Sequence, residues 1–426
     1  MAQKRKADDA ELVDRPPIRK RSSYFTLQYP SLSQAPSKPP PFQQPTPLVT
    51  FSYTPDHVLE FNDSALRYFV DPPLGADLGY GYDKWIRRPD ERGRLDALLM
   101  AWSRFKKSLS EGHPSSQSKP PDIGVMSWRG IMTKMLIAPY EERDAWELNV
   151  MRVGETFYLE EHLTDAKLQE KNTMEPRHRL QSYYGYAFES YCTTSAPGGR
   201  GDTVSKVRGW GGDVNTNVQW CSIVKTKLGD RRIVIGGEVD CVRGRHSGST
   251  DDFVELKTSL AIRGLSDEKK FEKKLLKFYM QSFLLGVPEI VVGFRKPSGQ
   301  LTTTQSFQTV QIPRHVRGKP GAWDPLICLH WGDRFLSFLF NTVQTKTGKD
   351  VWRVTFTPKV GIAATVLDGA GMEEVVGGED RIGFLPRWYW DEVAPPTREE
   401  AELESLRHDE TPQGHASGGV PSGWCI

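Results

Sequence analysis

The chain has 426 residues, of which 38% are hydrophobic and 26% are charged, and it contains twelve tryptophans. This composition is typical of a globular protein with a large core and excludes a chain that is disordered throughout. The formal net charge of +2 at pH 7 is too small to favour nucleic acid or a membrane through bulk charge, so any phosphate-binding surface must be local.

The cysteines and the apolar segments indicate a cellular compartment. Five cysteines are scattered along the chain without a C-x-x-C pair, which predicts a reducing compartment with neither a disulfide framework nor a zinc knuckle. No apolar run approaches the roughly 20 residues of a membrane span, and the N-terminus lacks the apolar centre of a secretory signal. We therefore expect an intracellular protein that does not act at a membrane.

Both ends of the chain have the composition of disordered segments. Residues 1–47 are rich in Pro, Ser and Gln and offer little to bury, so they predict a disordered basic N-terminal arm. Its clusters KRK at 4–6 and RKR at 19–21 resemble a bipartite nuclear import signal and predict a nuclear protein, although a basic arm without that role has the same letters. Residues 393–426 are acidic and then rich in Gly, Ser and Pro, and predict a disordered C-terminal tail.

Residues 48–392 are predicted to form a single folded domain that mixes strands with helices. Alternating apolar residues predict a hairpin around Gly154, and a long helix is predicted to start with Ser266 as its cap and to stop at Gly286. The other predicted elements are a helix over 177–191, strands over 219–225, 232–242, 253–258, 289–295, 302–312 and 351–358, and a helix over 324–343. We therefore expect an α+β fold with a mixed β-sheet core of two sheets, flanked by helices.

Three carboxylates lie on two neighbouring predicted strands. Glu238 and Asp240 are two residues apart and share one face of a strand, and Glu255 shares a face with Lys257 on the next one. Buried carboxylates repel each other unless a cation lies between them, and Mg²⁺ and Mn²⁺ prefer such oxygen ligands. Each triplet alone also occurs on solvated edge strands, but the close spacing of the two predicts a divalent-metal site.

Further polar positions fit a phosphate site less specifically. Gly236 and Gly237 lack side chains and are expected to leave room for a ligand to approach the backbone. Lys277 and Gln281 lie four residues apart on one face of the long helix, where they could hold a phosphate or orient a water or form an ordinary polar flank. Glu189 ends an aromatic run and is either partnered in the site or exposed.

The order of four short motifs resembles the DXO family of RNA 5′-end decapping enzymes, which includes the fungal protein that binds the nuclear 5′-to-3′ exoribonuclease. The motifs are GYAFE at 185–189, EVD at 238–240, ELK at 255–257 and KFYMQ at 277–281. An arginine that precedes them in the family corresponds to Arg129. The resemblance extends over about residues 50–360 and implies a single catalytic decapping domain with a restriction-nuclease-like active-site arrangement.

The resemblance also implies a role for each matching residue. The groups that would bind one or two Mg²⁺ or Mn²⁺ ions are the side chains of Glu189, Glu238, Asp240 and Glu255 and the carbonyl of Leu256. The residues that would contact RNA phosphates or the attacking water are Arg129, Lys257, Lys277 and Gln281. The catalytic set would consist of the four carboxylates together with Lys257 and Gln281.

The implied function is metal-dependent hydrolysis at RNA 5′ ends. It would release pyrophosphate from 5′-triphosphate RNA and remove incomplete or atypical caps, including NAD caps, in nuclear quality control with the 5′-to-3′ exoribonuclease as partner. Degradation of the RNA body by the same site is an additional expectation. Two alternatives stay open: a general metal-dependent nuclease, because an acidic pair followed by E-x-K also occurs in restriction-type enzymes, and a non-catalytic subunit that stabilises the exoribonuclease.

Overall fold

The structure is a computed structural model of the chain and describes residues 24–30, 32, 38–111, 121–198, 207–345 and 347–394. Both basic clusters and the tail beyond residue 394 lie outside the described residues. The strands are β1 (Tyr24–Gln28), β2 (Phe42–Tyr53), β3 (Leu59–Glu60), β4 (Tyr68–Phe69), β5 (Val125–Trp128), β6 (Trp146–Val153), β7 (Thr156–His162), β8 (Thr193–Thr194), β9 (Gln219–Leu228), β10 (Arg231–Glu238), β11 (Cys241–Val242), β12 (Phe253–Leu260), β13 (Glu289–Arg295), β14 (Leu301–Gln308), β15 (Val351–Thr357), β16 (Gly361–Val366), β17 (Arg381–Ile382) and β18 (Leu385–Pro386).

Helices cover the sheets and connect their strands. They are α1 (Asp96–Glu111), α2 (Arg129–Ile137), α3 (Asp165–Asn172), α4 (Pro176–Cys192), α5 (Leu265–Leu285), α6 (Ile312–Val316), α7 (Pro325–Thr342), α8 (Gly369–Val376) and α9 (Arg387–Val393). The hairpin, the helices and the later strands expected from the sequence occur in these positions. None of the described helices combines the length and the apolar character that a membrane span requires.

Two large sheets and a short two-stranded ribbon form the framework. Within the described residues, the first sheet has ten strands in the order β1-β16-β15-β6-β7-β5-β10-β9-β2-β3, and the second has six in the order β14-β13-β12-β11-β4-β8. Both sheets are mixed, since β10 runs parallel to β5 and antiparallel to β9, and β12 runs parallel to β13 and antiparallel to β11. The predicted α+β fold with a two-sheet mixed core flanked by helices is confirmed.

One hydrophobic core is shared by the two sheets. It includes Ile235 of β10, Met280 of α5 and Ile290 of β13, whose side chains are inaccessible to solvent. Helix α5 contacts α2 and strands of both sheets. Its burial therefore fixes how the first sheet lies against the second.

The ends of α5 agree only partly with the sequence. The helix stops at Leu285, and Gly286 follows it in the left-handed region with φ 73°, as the glycine predicts. The predicted cap Ser266 is wrong: Gly264 occupies the N-cap without a side-chain hydrogen bond, and Ser266 lies in the first turn. The Asp267 side chain accepts a hydrogen bond from the Arg263 N–H at 3.3 Å, which ties the residue before the N-cap to the first turn but leaves the N–H groups of that turn without a side-chain cap.

Two strands lie within the N-terminal region that the composition predicts to be disordered. Strand β1 pairs with β16, and β2 pairs with β9 along most of its length. The side chains of β1 are mostly exposed, so this edge strand is held mainly by its backbone pairing with β16. Pro45 and Pro47 lie where the register of β2 shifts, and a bulge tolerates a residue without an N–H. The prediction of a disordered arm over 1–47 is therefore wrong for residues 24–28 and 42–47.

The chain crosses from the first sheet to the second immediately after β10. Glu238 is the last residue of β10 in the first sheet, and Cys241 begins β11 in the second. The predicted continuous strand over 232–242 is thus wrong at its end, and Asp240 lies in the connection. The Val239 N–H donates to the Trp220 carbonyl at 2.9 Å, so the crossing is anchored on β9. This crossing is what brings side chains of both sheets to one place.

Candidate active site

Four carboxylates approach each other where the two sheets meet. Glu189 lies near the end of α4, Glu238 ends β10, Asp240 follows in the crossing and Glu255 is on β12. The first three line one cleft of about 780 Å³, and Asp240, Glu238 and Glu255 all raise the pKa of Glu189. The structure therefore brings together all four acids that the sequence singled out.

Glu255 is the most deeply buried acid of the site and is held by two cations. Its side chain is 0% exposed, with Oε2 2.8 Å from Arg129 Nη1 and Oε1 2.5 Å from Lys257 Nζ. The two oxygens of the carboxylate are therefore each paired with one cation. Burial alone raises the pKa of Glu255, but Arg129 and Lys257 together lower it below its ordinary value.

The same two cations become more basic in this environment. Burial lowers the pKa of Lys257, yet Glu255 and Asp240 outweigh it and raise that pKa above its ordinary value. For Arg129, burial again opposes the charge, and Glu255, Asp240 and Glu238 raise the pKa. Both side chains therefore carry a positive charge throughout the physiological range.

The other three acids are poor carriers of negative charge in the metal-free protein. Burial, followed by repulsion from Asp240, raises the pKa of Glu238 from 4.5 to about 7. Burial and Glu255 raise the pKa of Asp240 from 3.8 to about 6, and burial, Asp240 and Glu238 raise that of Glu189 well above its usual range. Four acids thus face two cations, and the two cations do not neutralise them.

Hydrogen bonds orient two of these acids. The Leu256 N–H donates to Asp240 Oδ2 at 2.7 Å, and Gln219 Nε2 donates to Glu238 Oε2 at 2.9 Å. Backbone and amide donors thus keep one oxygen of each carboxylate occupied. The predicted role of the Leu256 carbonyl stays a prediction, since the contact seen is made by its N–H.

The donor set fits a hard divalent cation. All candidate ligands are carboxylate oxygens, and the four acids outnumber the two cations that face them. Among the described residues, no three Asp, Glu, His or Cys side chains are yet arranged around one point as ligands of a single ion. Glu255 is turned towards Arg129 and Lys257, which explains why the acids are adjacent without forming a closed shell.

The two glycines before Glu238 make room for neighbouring side chains of the protein and not for a ligand. A Cβ on Gly236 would lie 2.6 Å from a Trp128 ring atom, and one on Gly237 would lie 2.8 Å from Leu285 Cδ1 and 3.0 Å from Arg129 Cβ. The expectation of open space above this backbone is therefore wrong. Side chains of α2 and α5 fill it, and the missing Cβ at Gly237 allows Arg129 to reach Glu255.

Lys277 and Gln281 are placed beside the acids and not among them. Both line a second cleft of about 1370 Å³, together with Lys134 and Thr258. Lys277 makes no ion pair within the described residues, and burial, Lys134 and Lys257 lower its pKa. The structure therefore brings Lys277 near Lys257, in a cleft that Glu189, Glu238 and Asp240 do not line.

The sequence analysis missed several residues of the first cleft. Arg67 lines it, donates to the Gly211 carbonyl at 3.0 Å and has no carboxylate within ion-pair distance in the described part of the chain. Arg88 and Tyr186 also line this cleft. Arg67 is isolated in the sequence and gave no signal, whereas the basic run after Trp85, IRRPDERGR, is a pattern that accompanies phosphate binding.

Comparison with known proteins identifies a family to which the chain is similar. A family model described as RAI1 like PD-(D/E)XK nuclease matches residues 43–390. A decapping nuclease RAI1 of Mycosarcoma maydis is 36% identical over 86% of this chain and 92% of its own length. A decapping and exoribonuclease protein of Rattus norvegicus is 33% identical over 91% and 94%.

A solved structure supports the fold independently. Candida albicans Rai1, solved in complex with pU5 and Mn²⁺, superimposes with a TM-score of 0.74 over 87% of this chain and 98% of its own, at 24% identity. At 24% identity this likeness shows the fold alone. Glu255-Leu256-Lys257 has the letters of the (D/E)XK part of the family signature, so the expected restriction-nuclease-like arrangement is confirmed. The chain belongs to the family of RAI1-like PD-(D/E)XK nucleases.

Proposed function

We propose that this protein is a metal-dependent hydrolase of RNA 5′ ends, that is, a decapping nuclease. The observation that carries the proposal is the convergence of four acids with Lys257 and Arg129 at the crossing between the sheets. Relatives of similar length are decapping nucleases, and one fold neighbour was solved with a 5′-phosphorylated RNA and Mn²⁺. Both facts agree with a phosphate-processing acidic site.

The metal would be held by the acids that lack a counter-charge. Glu189, Glu238 and Asp240 line the first cleft, and Glu255 lies next to Asp240 in the same cluster, paired with Arg129 and Lys257. One bound dication would balance the two negative charges that Arg129 and Lys257 leave uncompensated. When bound, Mg²⁺ or Mn²⁺ would make a nearby water more acidic and stabilise charge on the phosphoryl oxygens.

The side chains of the protein supply the rest of the chemistry. Lys257 Nζ lies 2.5 Å from Glu255 and 3.8 Å from Asp240, so its charge is fixed at the edge of the cluster. There it would stabilise negative charge that develops on the attacked phosphoryl group. Arg129 holds Glu255 in place from the other side, and its remaining N–H donors would contact a phosphate. No covalent intermediate is required.

The clefts on the two sides of the cluster would hold the substrate. Arg67 has no carboxylate partner among the described residues and would bind a phosphate in the first cleft. Lys277 and Gln281 line the second cleft and would contact phosphate or water on the other side of the attacked group. The substrate would therefore extend from the first cleft into the second, and the residues that contact it would not all line one pocket.

Within this class we propose the finer activities as well. The site would release pyrophosphate from 5′-triphosphate RNA and remove incomplete caps and NAD caps, and it would then attack the exposed RNA body. The basic clusters near the N-terminus support action in the nucleus, with the nuclear 5′-to-3′ exoribonuclease as partner. Decapping exposes the 5′-monophosphate end that such an exoribonuclease consumes.

The activity is tested with RNAs that differ only at the 5′ end. Triphosphate, unmethylated cap, NAD cap and monophosphate forms of one RNA are incubated with purified protein, with and without Mn²⁺ or Mg²⁺, and the products are separated. Decapping or pyrophosphate release that needs the metal and is abolished in Asp240→Asn supports the proposal. Equal cleavage of duplex DNA would indicate a general nuclease.

Partner binding and location have their own tests. Gel filtration of the chain with the nuclear exoribonuclease should give a co-eluting complex, and Asp240→Asn should leave that complex intact. If the complex forms but no RNA end is hydrolysed under any condition, the stabilising-subunit alternative is correct. A fluorescent fusion that lacks residues 1–23 should lose the nuclear enrichment of the full chain; equal enrichment would argue against the import signal.

A further inference from the structure

Tyr186 is an exposed aromatic residue at the mouth of the catalytic cleft. It lies on α4 one turn before Glu189, and its side chain is 38% exposed. It lines the same cleft as Glu189, Glu238 and Asp240. Packing against the protein covers only part of this large ring, so the part that stays exposed next to a charged cluster requires another explanation.

The ring is held from one side. Trp85 contacts it with ring centroids 5.7 Å apart and an interplanar angle of 40°. Trp85 is in turn packed against Tyr183, which is fully buried, at 5.4 Å, and the Arg179 guanidinium lies 5.7 Å from the Trp85 ring. Tyr186 is therefore supported by fixed aromatic neighbours and is not a loose surface side chain.

The hydroxyl of Tyr186 does not account for its position. It has no hydrogen-bond partner in the described ranges of the chain, and burial, Glu189 and Glu238 raise its pKa to about 12. The group therefore stays neutral at physiological pH and is unsuited to transfer a proton. What the residue offers the cleft is the face of its ring.

Open space also lies next to Gly185, the residue before Tyr186 on α4. Gly185 lies in the interior of the helix, where glycine is less favourable than alanine, yet a Cβ there would meet no atom within 4 Å. Gly185 lies on the same face of the helix as Ser182, three residues before it, and Glu189, four residues after it. Ser182 lines the second cleft and Glu189 lines the first. Nothing in the described protein uses this clearance, so it is available to a ligand.

Cations complete the environment. Arg67 and Arg88 line the same cleft as Tyr186; Arg88 pairs with Glu91 at 3.1 Å, whereas Arg67 has no carboxylate partner in the described part of the chain. An aromatic ring beside arginines is the combination that binds unpaired nucleotides, with the base stacked on the ring and the phosphates on the cations. Paired bases of a duplex have no free face to offer.

We propose that Tyr186, supported by Trp85, is the platform on which the nucleobase next to the attacked phosphate stacks. The inference rests on the proposed function, because it takes the acidic cluster as the place where the phosphate is attacked. Residues three apart on a helix lie about 5–6 Å from each other, so only a base joined directly to the phosphate at Glu189 reaches the ring. The platform accepts any base and requires that the 5′-terminal nucleotide is unpaired.

The test compares RNAs that differ only in the first base. A 5′-monophosphate RNA pentamer carries either 2-aminopurine or an abasic site as its first nucleotide, and its affinity for the full chain is measured by fluorescence and by competition. Stacking contributes about 1–3 kcal/mol per base, which is about a 5- to 150-fold preference for the base-bearing RNA. We also expect the 2-aminopurine fluorescence to be quenched on binding.

Variants separate stacking from structure. Tyr186→Ala and Tyr186→Leu should both lose the preference for the base-bearing RNA and the quenching while they retain affinity for the abasic RNA, and Tyr186→Phe should restore both signals because it keeps the ring. Trp388→Ala is the matched control, since Trp388 is an aromatic residue of similar exposure, 42%, on α9 outside this cleft. Leucine keeps the apolar volume and guards against a loss of folding.

Two results would overturn the platform. One is an undiminished preference for the base-bearing RNA in both Tyr186→Ala and Tyr186→Leu; the other is an equal loss of affinity for both RNAs, which indicates a structural role. Hydrolysis of the same RNAs with Mn²⁺ is measured separately. A wild-type protein that prefers the base but hydrolyses neither RNA supports the platform and contradicts the proposed function, while hydrolysis without base preference does the reverse.

Discussion

Glu238→Gln should make the metal-free protein more stable at neutral pH, although it removes a residue of the active site. The substitution keeps the shape of the side chain and an oxygen that can accept the hydrogen bond from Gln219 Nε2, which is 2.9 Å long in the wild type. It removes only the charge, which lies near Asp240 and Glu255. The comparison therefore isolates the cost of burying an ionised carboxylate beside the other acids.

The magnitude follows from the pKa of Glu238. Burial and Asp240 raise it from 4.5 to about 7, a rise of about 2.5 pH units, and each unit corresponds to about 1.36 kcal/mol. The ionised carboxylate therefore costs the folded protein about 3 kcal/mol. We expect Glu238→Gln to increase the free energy of unfolding by up to this amount above the raised pKa.

The sign of the pH dependence is specific. Below pH 4.5 the carboxyl group is protonated in both the folded and the unfolded chain, and it costs nothing. Between 4.5 and about 7 the unfolded chain releases the proton while the folded protein retains it, so the stability of the wild type falls as the pH rises. The advantage of the variant should therefore be largest above about pH 7 and should vanish towards pH 4.5.

Urea unfolding followed by tryptophan fluorescence measures this difference. Wild type and Glu238→Gln are compared in EDTA at several pH values, with Glu373→Gln as control because Glu373 is exposed on α8 and makes no ion pair within the described residues. A variant that is equally or less stable than the wild type above pH 7 would refute the reasoning. So would a stabilisation that does not depend on pH.

Three further substitutions test the surroundings of the site. Arg129→Met leaves Glu255 buried without its guanidinium partner and should lower the free energy of unfolding by about 3 kcal/mol in urea titrations; a change under about 1 kcal/mol would contradict this. Gly237→Ala places a Cβ 2.8 Å from Leu285 Cδ1 and should cost about 1–3 kcal/mol and reduce RNA hydrolysis; unchanged hydrolysis would show that the packing is not needed. Asp324→Ala removes the cap of α7, which should cost about 1 kcal/mol with hydrolysis unaltered.

Local patterns were sufficient to predict the elements and the acids of the site. Alternation along a strand depends only on neighbouring residues, so it correctly identified the strands that carry Glu238 and Glu255. The motif order added Glu189, which no local rule separates from an exposed helix residue. These predictions succeeded because the information lies within a few residues of each position.

The errors concern what lies next to a residue in space. The sequence does not show that the chain leaves one sheet after Glu238, so Asp240 was assigned to a strand that ends two residues earlier. The space above Gly237 was expected to be open, but side chains from two distant helices fill it. Arg67 was missed for the same reason, since only the fold shows that it lines the cleft of the acids without a carboxylate partner among the described residues.

Calorimetric titration of the metal-free protein with Mn²⁺ at about pH 7.5, for wild type and Asp240→Asn side by side, tests the central claim most directly. The account predicts that the wild type binds one or two ions per chain and that the variant binds them at least about 10-fold more weakly. Binding that is absent from the wild type, or equal in the two proteins, would contradict the claim that these acids are gathered to hold a dication.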